Sequence, residues 1–232
     1  MTERDAGMGS PPTVAGVSGH NGWAVFVCIT ARGRVPVVLD RRRVELIGAG
    51  LPNQPYEHDT LDLNYNQAEA LVREVRESAV HCAERALVSL RSSGEIAALA
   101  MREPLLPHLP ESVAAAHASS WVTVRADPMI YHEALCKAAS ALGIAVELIA
   151  RDEESRRAAE GLSTTPERLD RWLAELRVSL GAPWQKDHRE AAARAIAALA
   201  GRAEITFPAN GRAPERIARS RPAAESRRRR RA

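Results

Sequence analysis

Residues Trp23 to Thr30 read WAVFVCIT, eight consecutive positions almost wholly apolar and rich in β-branched and aromatic side chains. A run of this kind, without polar alternation, predicts an interior strand covered on both faces. The three-residue link Ala31-Arg32-Gly33 then suits a hairpin, with Gly33 in the left-handed position of a bulged turn. Arg34 to Ile47 continues as an outer strand, broken near Asp40 to Arg43, and Pro36 fits an edge better than a centre. Thr13 to Ser18 supplies a short apolar strand ahead of the run, so three antiparallel strands open the fold.

The covering layers come from residues C-terminal to these strands. Asn66, with Glu69 three positions on, satisfies the reciprocal capping pattern of a helix that reaches about Ser92. Its apolar positions, among them Ala68, Leu71, Val72, Val75, Ala79, Cys82, Ala86 and Leu90, recur at steps of three and four, whereas Arg73, Glu74, Arg76 and Glu77 fall outside the stripe. Ile96 to Met101 is a short buried run, and the long helix before it calls for a parallel crossover pairing. A helical stretch is expected near Glu111 to Ala118. Asp127-Pro128 then signals a helix start, Gly143 its stop, and Ile144 to Ala150 a fifth strand. Thr165-Pro166 opens a helix ending at Gly181. Another runs from about Asp187 to Ala200, with a short strand after it at Glu204 to Phe207.

Hydrophobic residues make up 45% of the 232 positions but aromatics only 4%, so one α/β core built from small side chains is expected at residues 13–208. The net charge of +3 is unevenly distributed. Residues 212–232 carry nine Arg against Glu215 and Glu225, a local +7, which leaves −4 on residues 1–211. The basic character thus belongs to an Arg-rich tail (209–232), expected to be disordered like the polar residues 1–12. Thirty of the 32 basic residues are Arg, a bias that a GC-rich coding sequence produces without any functional cause.

Cys28, Cys82 and Cys136 lie far apart in apolar runs, without a CxxC pair, and read as reduced core residues of a cytoplasmic protein. No apolar stretch of about 18 residues is present, so no membrane span is expected. The seven histidines show no zinc-binding spacing.

The segment Gly16-Val17-Ser18-Gly19-His20-Asn21-Gly22-Trp23-Ala24-Val25 resembles the first-strand motif of Holliday-junction-resolvase-like nucleases of the ribonuclease H-like superfamily. Lys186-Asp187-His188-Arg189-Glu190-Ala191 is similar to their closing Ala-rich helix, which an acidic residue opens. The resemblance spans roughly residues 13–200, and these two stretches are its specific part. It implies a ribonuclease H-like α/β fold with a mixed five-stranded sheet, three strands antiparallel and then parallel ones, flanked by helices. It also implies carboxylates that converge on two Mg²⁺ ions and a nucleic-acid substrate. The first-strand aspartate position matches Ser18, whose neutral hydroxyl brings no charge to a hard cation. Glu103 and Asp187 stand as metal-binding and catalytic candidates, with Asp127 a further catalytic one. Their plainer readings are helix caps for Asp127 and Asp187 and a solvated loop acid for Glu103.

Trp121 to Glu133 is the most chemically varied segment, placing Trp121, Arg125, Asp127, Tyr131 and His132 around an expected strand-to-helix junction, where α/β sheets form ligand sites. With Ser18, the residues Trp121, Arg125, Tyr131 and His132 are candidate substrate contacts, although Tyr131 and His132 serve equally as packing residues. The run Arg227 to Arg231 suits salt-dependent phosphate binding or a solvated end. Three functions remain open: a Mg²⁺-dependent nuclease acting on nucleic acid, a catalytically silent module binding nucleic acid or protein, and a small-molecule or nucleotide-binding α/β protein. A pocket beside Tyr131 and His132 favours the third. Protein partners are not specified by the sequence.

Overall fold

The computed structural model describes residues 11–209. The apolar run is strand β2 (Trp23–Arg32), which lies between two antiparallel neighbours, β1 (Thr13–His20) and β3 (Val35–Glu45). Ala24, Phe26 and Cys28 enter one core, whereas Val25, Val27, Ile29 and Ala31 enter the other, as the two-residue period of a strand requires. Pairing persists to Arg32 opposite Val35, so the turn is Gly33-Arg34, one residue later than expected. Gly33 takes the expected left-handed conformation, with φ of +57°. The predicted break in β3 is instead a bulge between Val38 and Asp40, across which pairing continues.

Strand β4 (Ile96–Arg102) runs parallel to β1, and β5 (Ala145–Ile149) runs parallel to β4. The sheet order is β3-β2-β1-β4-β5. Antiparallel hairpins on one half and parallel strands on the other make this the ribonuclease H-like arrangement. Helices α1 (Tyr65–Leu90), α2 (Val113–His117) and α3 (Ser120–Ala141) cover one face. Helices α4 (Glu154–Gly161), α5 (Pro166–Leu180) and α6 (Lys186–Ala200) cover the other.

Several helix starts differ from expectation for identifiable reasons. Helix α1 is capped by Asn64 and Gln67 in a reciprocal capping box rather than by Asn66 and Glu69. Glu69 is engaged elsewhere, accepting the Val113 N–H at the start of α2 at 2.6 Å. Asp127 does not begin a helix; α3 starts seven residues earlier and passes through Pro128. Pro128 and Val124, the residue whose carbonyl loses its intrahelical donor, both lie on the exposed side, where water can satisfy that carbonyl. No strand therefore occupies the Trp121 segment. Asp187 lies in the first turn of α6, while Gln185 provides its cap. The eight-residue α4 is an element that the sequence signals do not mark. Glu204 to Phe207 forms no strand, making only isolated backbone bonds, Thr206 N–H to Arg34 and Phe207 N–H to Leu162.

Helix α6 lies directly against β1 because both present small residues. A Cβ added to Gly16 would sit 1.8 Å from the Ala191 carbonyl oxygen. Among the described residues no helix is long and apolar enough to cross a membrane. The polar N-terminus up to residue 10 and the tail from residue 210 lie outside the described residues.

Candidate functional site

Because β1 and β4 are parallel neighbours, their carboxyl ends finish together, and α6 packs over that end from one face. The register that sets Gly16 beside Ala100 brings Ser18 level with Arg102. Ser18 is buried in the sheet. Where the resemblance calls for converging carboxylates, the structure instead assembles two guanidinium groups and two carboxylates from three elements.

Arg194, in the middle of the alanine run of α6, is 1% exposed. Its Nη1 donates to the Val17 carbonyl at 2.8 Å, and its Nη2 lies 2.9 Å from Glu154 Oε1 and 3.1 Å from Glu190 Oε2. Arg102, at the end of β4, reaches the same two carboxylates from the other side, 2.9 Å to Glu154 Oε1 and 3.5 Å to Glu190 Oε2. Burial alone would raise the Glu154 carboxyl; its own backbone N–H, the Arg102 hydrogen bond and the charges of Arg194 and Arg102 outweigh this and hold it below the usual range. Glu154 is thus ionised, and within the cluster two carboxylates stand against two guanidinium groups, so that it is internally neutralised.

A hard divalent cation requires several negatively charged or strongly polar oxygens. At this sheet end Ser18 offers a neutral hydroxyl, Arg102 a fixed positive charge, and Glu154 and Glu190 are both held by arginines. Among the described residues, no group of three or more His, Cys, Asp or Glu is placed to hold a metal ion. These residues do not fit the two-metal arrangement that the resemblance implies.

The candidates from the sequence fall at several places in the fold. Glu103 is exposed just beyond β4, its N–H bonded to the Ile149 carbonyl, and it lines a cavity toward α3. Asp187 is half-buried, its Oδ1 3.2 Å from His20 Nε2, a close contact outside hydrogen-bond geometry. His20 in turn stacks on Trp23, with ring centroids 3.9 Å apart, and Arg43 lies over the same indole. Asp127 is not part of this assembly. Fully buried, it accepts the Tyr56 and Glu57 N–H groups at 2.9 and 3.0 Å, anchoring the loop that precedes α1. Burial pushes its carboxyl up to about 6, with the nearby Glu57 and Asp59 adding to the rise, against those two backbone donors.

Tyr131 shares the anchoring task, donating its hydroxyl to the Asn53 carbonyl at 3.0 Å, while its ring lines the cavity. Trp121 is half-exposed beneath the Arg125 guanidinium. His132 is 3.6 Å from Cys136, but burial lowers the imidazole and raises the thiol, so the pair is neutral and the cysteine is not activated. A cavity lies beside Tyr131 and His132, and Arg125 also lines it. Arg102, Glu154, Glu190 and Arg194 are functional candidates that sequence reasoning misses. The i, i+4 pair Glu190–Arg194 inside an alanine run is the legible signal for two of them.

No protein-family model matches the sequence, and no curated protein matches it. Among solved structures, the chain is similar to Thermus thermophilus RuvC at 13% identity, covering 82% of this chain and 95% of that one with a TM-score of 0.49. The same figures hold for T. thermophilus RuvC in complex with a Holliday junction substrate. The yeast mitochondrial Holliday junction resolvase Ydc2 aligns at 11% identity over 86% of this chain and 84% of that one, with a TM-score of 0.44. The likeness in each case is one of fold.

Proposed function

We propose that this protein binds nucleic acid through the carboxyl-end edge of its ribonuclease H-like sheet and does so without two-metal chemistry. The observation that supports this reading is the Arg102–Glu154–Glu190–Arg194 cluster. Its guanidinium groups stand where the resemblance implies bound cations, but Glu154 and Glu190 neutralise them, and a guanidinium does not lower the pKa of a bound water as a divalent metal does. Arg125 and Arg151 add cationic groups beside it, on the side of α3. Glu103 and Asp187 flank this edge as the acids that a residual nuclease would need.

The test uses full-length protein with branched, duplex, hybrid and single-stranded substrates in Mg²⁺ or Mn²⁺. Binding that weakens with salt, with no strand scission on any substrate, is the expected result. Cleavage abolished by Glu103→Ala or Asp187→Ala would overturn the silent reading, and absence of binding at low salt would overturn the nucleic-acid reading.

A further inference from the structure

A cavity of about 170 Å³ opens at the carboxyl ends of β1 and β4, between the sheet edge and α3. This is the edge at which open α/β sheets form ligand crevices. Its floor is apolar, from Met101, Leu106, Met129 and Leu135. Its polar lining includes three arginines, Arg102 from β4, Arg125 from α3 and Arg151 from the segment after β5, beside the Glu103 carboxylate and the His20 and His132 imidazoles. Asp187 stands near the rim through its contact with His20.

The fold engages these cations only in part: Arg102 gives its Nη2 to Glu154 and Glu190, and Arg125 donates its Nη1 to the Trp121 carbonyl at 3.0 Å. Among the described residues, neither Arg125 nor Arg151 belongs to an ion pair. Moreover, the Nε groups of Arg102 and Arg125 are buried without a hydrogen-bond partner. A buried donor left unmet costs about 1–3 kcal/mol, more when charged, so both side chains would gain from a small shift that brings an acceptor to them.

The geometry points to a binding site for a phosphate monoester that carries a single ring, of the pyrimidine nucleotide class. A carboxylate has two oxygens, which one guanidinium fork satisfies; Arg125 and Arg151, with the Nη1 of Arg102 that makes no bond among the described residues, offer more donors than that and suit a tetrahedral oxyanion with three free oxygens. The apolar floor takes the ring. A buried space of about 150 Å³ accommodates one benzene, so this cavity admits a six-membered ring and not a large polycyclic group. The phosphate source is either a free nucleotide or the 5′ end of a nucleic-acid strand, and the second rests on the function proposed above.

Isothermal titration of the full-length protein with cytidine 5′-monophosphate, cytidine and inorganic phosphate tests the site. Cytidine 5′-monophosphate is expected to bind at least tenfold more tightly than cytidine. The Arg125→Gln/Arg151→Gln double variant should lose at least tenfold in that affinity while the ligand-free melting temperature stays unchanged. Equal affinity for the two ligands, no binding of either, or an unaltered double variant overturns the site. A parallel arm compares 5′-phosphorylated and 5′-hydroxyl oligonucleotides. A tenfold preference for the phosphorylated strand, lost in the double variant, assigns the site to strand ends, whereas a preference confined to the mononucleotide assigns it to a free nucleotide. Retained salt-dependent binding of 5′-hydroxyl duplex, with no mononucleotide affinity, sinks this inference alone; the converse result sinks the nucleic-acid reading alone.

Discussion

Arg194 and Asp127 are both charged side chains inside helices, and they are stabilised by opposite means. Arg194 is held among the α6 alanines by two carboxylates and the Val17 carbonyl, so each of its strongest contacts carries or complements charge. Removing one partner from such a buried group typically costs about 3–5 kcal/mol, because the other charge is left uncompensated. Asp127 has no cationic partner among its hydrogen bonds, only two backbone N–H groups, and burial pushes its carboxyl from 3.8 up to about 6. A carboxyl whose folded-state pKa is raised contributes stability that is fully present below its unfolded pKa and is lost as pH climbs through the folded value. The window therefore runs from about pH 4 to about pH 6. Relative to Asp127→Asn, which does not titrate, the natural protein should lose roughly 2 kcal/mol of stability between pH 4 and pH 7. Urea unfolding of both proteins at the two pH values measures this; parallel pH profiles would contradict it.

At the scale of elements, the contact of α6 with β1 decides what the sheet edge can hold. Helix α6 presents Ala191, Ala192, Ala195 and Ala198 to the sheet, all buried, and β1 answers with Gly16. The helix backbone comes so close that it delivers Arg194 to the Val17 carbonyl and Glu190 to Arg102. Gly16→Ala places a methyl group on the Ala191 carbonyl, a backbone atom that can yield only by moving α6. Overpacking of this kind costs about 1–3 kcal/mol or more. Thermal unfolding of Gly16→Ala should show a clear fall in melting temperature, whereas an unchanged value would mean that α6 has room to spare over β1. Little of this is legible in the sequence. The capping pattern, the apolar stripe of α1 and the Pro/Gly boundaries of α5 are local properties, and they locate those helices to within a few residues. The start of α3 escapes such reading because Asp127-Pro128 has the chemistry of a helix start, while the carboxylate is in fact taken by backbone donors 71 and 70 residues earlier in the chain.

For the whole molecule, charge divides between a mildly acidic body and a C-terminal segment with a local +7. If the sheet edge and this segment both contact phosphate, affinity for nucleic acid falls linearly with salt on logarithmic axes, with a slope set by the number of phosphates neutralised. Truncation after residue 209 removes the nine arginines without removing any described residue. It should weaken binding at low salt and flatten the salt slope by several units, while the binding that remains still depends on Arg125 and Arg151. Fluorescence anisotropy across a salt series reads both quantities. An unchanged slope would show that the tail contacts no phosphate.

The sequence by itself determined the three antiparallel strands, the apolar runs of β4 and β5 and the helices α1, α5 and α6, because each is written in short-range periodicity and turn chemistry, whereas the parallel half of the sheet order was what the resemblance implied. It also showed, at Ser18, that one acidic position of the resemblance was missing, since the identity of a residue in a motif requires no contacts. What stands in its place was decided only by tertiary structure. Arg102, Glu154, Glu190 and Arg194 span 92 positions from first to last and come from β4, α4 and α6. Ion pairing over such separations depends on sheet order and helix docking, which leave no local periodic trace.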